Sequence, residues 1–179
     1  MVTSVGGSLG DVAPLAEWAV AAAPGFEDWY RARYDKLVRS VRLMAGDPVT
    51  AEDVASEAFS RALARWDRVG AMSSPDGWVY RVAVNVLRRR QRRATLERAV
   101  LGRWAPARDA PPPDDHSSDV WRAVRSLPAR SREAVVLRYV SDLTESAVAA
   151  AMGISEGAAS SLLSDARRAL ARQLKGFDG

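Results

Sequence analysis

Five arginines, Arg88, Arg89, Arg90, Arg92 and Arg93, fall within six consecutive positions of a 179-residue chain. A guanidinium group is always charged and matches phosphate with two donors at once, so such a run points to contact with a polyanion. The run continues a helical pattern in which Trp78, Val79, Val82, Val86 and Leu87 face a core while Arg81, Asn85, Arg88, Arg89 and Arg92 are displayed. A second element of the same kind lies near the C-terminus, over Thr144–Leu170. There Thr144 is placed to cap a short helix, Gly153-Ile154-Ser155 makes a tight turn, and Glu156 to Leu174 reads as a long final helix. Small Ala149 at the close approach, with Val148, Ile154, Ala159 and Leu162 as a little core, makes this a helix-turn-helix. Its last helix would offer its N-terminal turns, Glu156 to Ser164, to a DNA major groove.

Other chemistries lack the groups they need. The chain has no cysteine and one histidine, His116, so neither a thiolate zinc site nor a histidine metal site can form. No acid–base pair stands out, so the expectation is a protein that binds rather than catalyses, without a cofactor. Lysine and arginine number 26 against 22 acidic residues, a net charge of +4, and the isoelectric point near 9.9 suits a phosphate-rich partner. The apolar patch Trp18–Ala23 lacks a basic start and is too short to span a bilayer, so the chain is read as cytosolic with no membrane partner.

The elements that must hold these residues are all helical. Phe26, Trp29, Tyr30, Tyr34, Leu37, Val38 and Val41 recur at helical spacing from Phe26 to Ala45. Gly46-Asp47-Pro48 stops that helix, and Thr50, with Asp53 three residues on, is placed to cap a second one carrying Val54, Ala58, Leu63 and Trp66. Ser74-Pro75 suits the start of the arginine-bearing third helix. Residues 104–118, with three consecutive prolines, resist helix and form a linker expected to hold two modules apart. Beyond it come Val120, Trp121, Val124 and Leu127 on one helix, a break at Leu127-Pro128, and a helix from Arg132 to Val140. The expected architecture is all-α: an extension over 1–25, a helical domain over 26–103, the linker, and a helix-turn-helix domain over 119–175.

Two pairs of segments carry a family resemblance. Ala51-Glu52-Asp53-Val54-Ala55-Ser56-Glu57-Ala58-Phe59 and Gly77-Trp78-Val79-Tyr80-Arg81-Val82-Ala83-Val84-Asn85 resemble region 2 of the extracytoplasmic-function sigma factors. Leu127 to Val140, with Met152-Gly153-Ile154-Ser155-Glu156-Gly157, is similar to region 4 of that family. The resemblance covers about Phe26 to Leu174, in the family's order. It implies a subunit that binds core RNA polymerase, opens the minus-ten element of promoter DNA with region 2 and reads the minus-thirty-five element with region 4. By family habit an anti-sigma protein is a further partner.

Carried onto this sequence, the resemblance makes Asp53, Glu57 and Arg61 candidates for the polymerase contact, although an exposed charged face would look the same. The loop from Val69 to Asp76 corresponds to the element that captures a flipped base, beside Trp66, Arg68 and Arg81. Trp78 is expected in the core, and Tyr80 stands between core and DNA platform. Arg81, Asn85, Arg88, Arg89 and Arg92 are the DNA candidates of the first module. In the second they are Glu156, Ser160, Ser161, Ser164, Arg167 and Arg168. The recognition helix departs from the family, with Ala158-Ala159-Ser160-Ser161-Leu162-Leu163-Ser164-Asp165 where long basic side chains are common, and Ser56 stands where glutamine is common. Weaker duplex affinity is the expectation. That departure leaves open a second reading, a sigma-like polymerase accessory or anti-sigma decoy.

Overall fold

A computed structural model describes residues 25–101 and 119–175; the N-terminal extension and the linker lie outside the described residues. Eight α-helices follow in order: α1 Phe26–Ala45, α2 Pro48–Leu63, α3 Trp66–Val69, α4 Pro75–Leu101, α5 Asp119–Ser126, α6 Ala129–Val135, α7 Glu145–Met152 and α8 Glu156–Lys175. No strand occurs among the described residues.

The first half is built on α1, α2 and α4. Leu37 and Val41 of α1 and Val54, Ala58 and Phe59 of α2 are buried, and each large apolar side chain contributes about 1.5–3 kcal/mol on leaving water. Above them Phe26, Trp29, Tyr30 and Tyr34 of α1 meet Phe59 and Trp66 in ring pairs with centroids 4.9–5.9 Å apart. Asp47, rather than Thr50, caps α2: its carboxylate accepts the Thr50 N–H at 2.8 Å, with Pro48 opening the helix. A proline has no N–H to lose and fits the first helical position, which moves the start upstream of Thr50.

In the second half α5, α6 and α7 pack on α8. Thr144 caps α7, its hydroxyl accepting the Ala147 N–H at 3.2 Å. Gly153 ends it at φ 67°, with its own N–H on the Ala150 carbonyl and the Ile154 N–H on the Ala149 carbonyl. This is the left-handed helix stop that glycine adopts without penalty. The little core is as expected except that Leu163, 1% exposed, lies deeper than half-buried Leu162. Where one helix was expected from Arg132 to Val140, α6 instead widens into a π-helical turn over Val136–Val140, closed by the Ser141 N–H on the Val136 carbonyl at 3.0 Å.

The two halves pack together, which corrects the expectation of modules held apart. α4 packs on α2 and α1 with one side and on α7 with the other, and α1 touches α6 and the π-helical turn. The physical reason lies in α6 and its continuation: Glu133, Ala134, Val135, Val136 and Leu137 are all buried, and a helix apolar on every side needs partners on every side. α8 covers one side and the first half covers the other.

Candidate nucleic-acid interface

The arginine run sorts into two groups once α4 is in place. Arg81, Asn85, Arg89 and Arg92 are exposed and follow one another at intervals of three or four residues, a stripe along one face of the helix. Arg81, Arg89 and Arg92 form no ion pair among the described residues. Their charges are free for a polyanion. Arg90 instead bridges back to α2, 2.9 Å from Asp53 and 3.5 Å from Glu57, and Arg93 pairs with Glu97 one turn on. The hydrogen bond to Asp53, with Glu57 adding to it, raises the pKa of Arg90 above its usual value. Glu57 also pairs with Arg61, so Asp53, Glu57, Arg61 and Arg90 make one charged network on the outer face of α2 and α4.

Arg88, a DNA candidate, and Tyr80, placed by its sequence between core and DNA platform, both face the second half in this structure. Arg88 donates to the Met152 carbonyl at the end of α7 and to the Glu133 carboxylate of α6, each at 2.8 Å. Glu133 is buried and is approached on its other side by Arg130 at 3.4 Å. Tyr80 is 5% exposed. Its hydroxyl lies beside the Ser40 and Ser141 side chains, where the Ser141 hydroxyl donates to Ser40 Oγ at 2.9 Å while Ser40 donates to the Lys36 carbonyl. Burial, outweighing the opposing effect of the two serines, raises the pKa of Tyr80. Both residues lie on the side of α4 that faces the second half, Arg88 against the end of α7 and α6 and Tyr80 beside Ser141. Beside Arg88 a cleft of about 600 Å³ opens between α4 and α6, lined by Met44, Leu87, Arg92 and Ala129 among others.

At the other end of α4, Arg68 is exposed, as is each residue from Gly70 to Ser74, while Trp66 and Trp78 are half-buried. In the helix-turn-helix, Glu156, Ser160 and Ser161 are exposed and Ser164 is half-buried. Ser155 caps α8 by accepting the Ala158 N–H, which leaves the earlier amides of that turn for solvent or phosphate. Arg167 is exposed and its Nε donates to the Leu163 carbonyl, and Arg168 pairs with Asp165. Positive charge on this helix is therefore partly neutralised within it. Sequence reasoning missed Ser40, Glu133 and Ser141, polar residues that read as surface; the unbroken apolar run after Glu133 was the available signal.

The pattern that defines the family Sigma-70 region 2 matches residues 29–97, and that of Sigma-70, region 4 matches residues 117–170. The RNA polymerase sigma-E factor of Streptomyces coelicolor is 32% identical over 149 residues, 82% of each chain. The chain belongs to the extracytoplasmic-function sigma factors. The ECF RNA polymerase sigma factor SigW of Bacillus subtilis is 26% identical over 157 residues, covering 79% of this sigma factor and 84% of SigW. Among solved structures, the sigma factor RpoE of Bartonella quintana, in complex with the anti-sigma factor NepR, superposes with a TM-score of 0.73 at 24% identity, over 84% of this chain and 96% of that one. CnrH, in complex with the cytosolic domain of CnrY, gives a TM-score of 0.57 at 22% identity, over 84% and 88%. These two likenesses establish the fold. Region 2 of this sigma factor thus comprises α1 to α4 and region 4 comprises α5 to α8. Among the described residues no helix is long and apolar enough to cross a membrane.

Proposed function

We propose that this alternative sigma factor binds core RNA polymerase through the Asp53, Glu57 and Arg61 face of α2 and directs it to promoter DNA. The arginine stripe of α4, Arg81, Asn85, Arg89 and Arg92, with Arg68 beside it, tracks the phosphates of the opened minus-ten strand. The loop before α4 receives an unstacked base. The first turns of α8, with Glu156, Ser160, Ser161, Ser164, Arg167 and Arg168, meet the minus-thirty-five duplex. The protein works by binding alone and acts in the cytoplasm, where polymerase and promoters are. An anti-sigma protein is a further partner, supported by the complexes in which the two fold neighbours were solved.

The observation that carries this proposal is the stripe of unpaired cations on α4 in the same chain as a capped helix-turn-helix. Arg88 extends that stripe only when region 4 moves off it, so the described arrangement is a closed form that must open before all of α4 can meet DNA. Reconstituted transcription tests the proposal. Purified protein and bacterial core polymerase, offered a genomic promoter library, should yield promoter-specific transcripts. The double variant Arg89→Glu, Arg92→Glu should lose promoter opening with polymerase affinity intact, and the logarithmic salt slope of DNA binding should fall by about one per phosphate contact removed. Polymerase binding with no initiation by the parent protein would refute promoter reading.

A further inference from the structure

The loop Gly70–Ser74 is exposed along its whole length, yet its two ends are tied to two indole rings that touch each other, Trp66 at one end and Trp29 at the other. At the first end Gly70 lies against Trp66: a Cβ there would stand 3.0 Å from Trp66 Cε2 and 3.0 Å from the Trp66 carbonyl oxygen, so only glycine fits without a shift. At the second end Asp76, in the first turn of α4, turns its carboxylate away from its own helix. One oxygen accepts from Trp29 Nε1 at 2.7 Å, and the other accepts from Arg33 Nε at 3.0 Å. Trp29 and Trp66 are themselves in contact, with ring centroids 4.9 Å apart. Ser74 closes the loop by accepting the Gly77 N–H at 3.0 Å. The tip, Ala71-Met72-Ser73, is thereby suspended between two fixed points on one aromatic wall.

We infer that Asp76 is a positioning residue for base capture: by fastening the start of α4 to Trp29 and Arg33, it holds the 71–73 tip in the geometry that accepts an unstacked base. This rests on the proposed role of the loop. The Arg33 contact, more than a third exposed on both sides, adds little by itself. The indole N–H has one donor and one direction, so the Trp29 bond is what fixes the register of α4 against α1. A charge-assisted bond of this kind is also stronger than a neutral one. Because Asp76 touches α1 and not the tip, its loss should blur the choice of base while leaving the charged face of α2 and the arginine stripe in place.

The test uses the full chain with core polymerase and fork-junction promoter DNA carrying each of the four bases at the unpaired minus-ten position. The readout is the affinity ratio of the preferred base to the others, with polymerase affinity and melting temperature measured in parallel. Asp76→Ala should lower that ratio roughly tenfold, the scale of one charge-assisted hydrogen bond. Asp76→Asn, which keeps an acceptor for Trp29, should retain most of it. Trp29→Phe, which keeps a ring and removes the donor, should match Asp76→Ala, and it decides the matter if the alanine variant does not fold. A merely structural role would lower the melting temperature and leave the ratio unchanged, which overturns the inference. Met72→Ala and Ser73→Ala separate the two levels. If the tip variants flatten base preference and the Asp76 and Trp29 variants do not, positioning by Asp76 is wrong and capture by the loop stands. If none of them changes base preference, the loop is not the capture element and both fall.

Discussion

Replacing Glu133 by alanine should loosen the packing of region 4 on region 2. In the parent protein the Arg88 guanidinium has two partners, the Glu133 carboxylate and the Met152 carbonyl, and its Nε has none. Removing the carboxylate leaves a cation that is four-fifths buried, at 19% side-chain exposure, facing a single carbonyl. Breaking a buried ion pair from one side costs about 3–5 kcal/mol. The residual exposure of Arg88 and its surviving bond to Met152 bring the expected loss to about 2 kcal/mol, within the range for a hydrogen bond to a charged group. Arg130, half-exposed and 3.4 Å from Glu133, contributes little. For a chain of this length that loss lowers the melting temperature by roughly 4–8 °C if unfolding is cooperative. If the loss falls on the contact between halves alone, it shifts the ratio of closed to open forms about thirtyfold toward open. The absence of native cysteine makes the second quantity measurable: Ser60→Cys on α2 and Ser146→Cys on α7, both exposed, can be labelled for energy transfer without background. Glu133→Ala should reduce transfer and Glu133→Gln, which still accepts from Arg88, should reduce it less. Parent-like transfer and melting in Glu133→Ala would refute the reasoning that this pair holds the halves closed.

Two further outcomes follow from single contacts. Tyr80 and Tyr30 both have raised pKa values, with burial the leading cause in each, so the folded protein favours the neutral phenols. The stability this provides is complete below the ordinary tyrosine pKa and is lost as pH climbs through the raised folded values. Alkaline ultraviolet titration should therefore show a late-ionising fraction in the parent that Tyr80→Phe reduces by one phenol, and an unchanged late fraction would place Tyr80 in solvent. Thr144→Ala removes the acceptor for the Ala147 N–H and should cost about 1 kcal/mol, read as faster amide exchange in α7 with α2 unaffected; uniform loss across both halves would mean the cap acts on more than its own helix.

Features that a single segment decides were legible in the sequence. The helix-turn-helix needs a capping hydroxyl, a residue able to take positive φ, and small residues at the crossing, and Thr144, Gly153 and Ala149 announce all three by type and spacing. The same holds for α1, whose aromatic stripe marks its buried side. The π-helical turn was not legible, because Val136 to Val140 keeps the apolar content of an ordinary helix, and Ser40, the partner of the Ser141 that closes it, lies 101 residues away in the chain. Asp142, at φ 58°, then turns the chain away, in a conformation that aspartate tolerates better than most residues.

The contact between the halves shows why the candidate site was only half legible. A proline-rich linker reports its own stiffness and nothing about the surfaces at its two ends, so the expectation of separated modules rested on the wrong segment. The informative residues were on the helices. Val79, Tyr80, Ala83, Val84, Val86 and Leu87 are all buried on α4, a band wider than one neighbouring helix can cover. Buried neighbours at both edges of such a band leave only part of the polar side for solvent, and that part holds Arg81, Asn85, Arg89 and Arg92. Arg88 follows Leu87 at the edge of the band, where a long cation either snorkels outward or finds a buried acid. Glu133, set against the apolar run of α6, is that acid, and two residues that each read as surface charge become intelligible only as a pair.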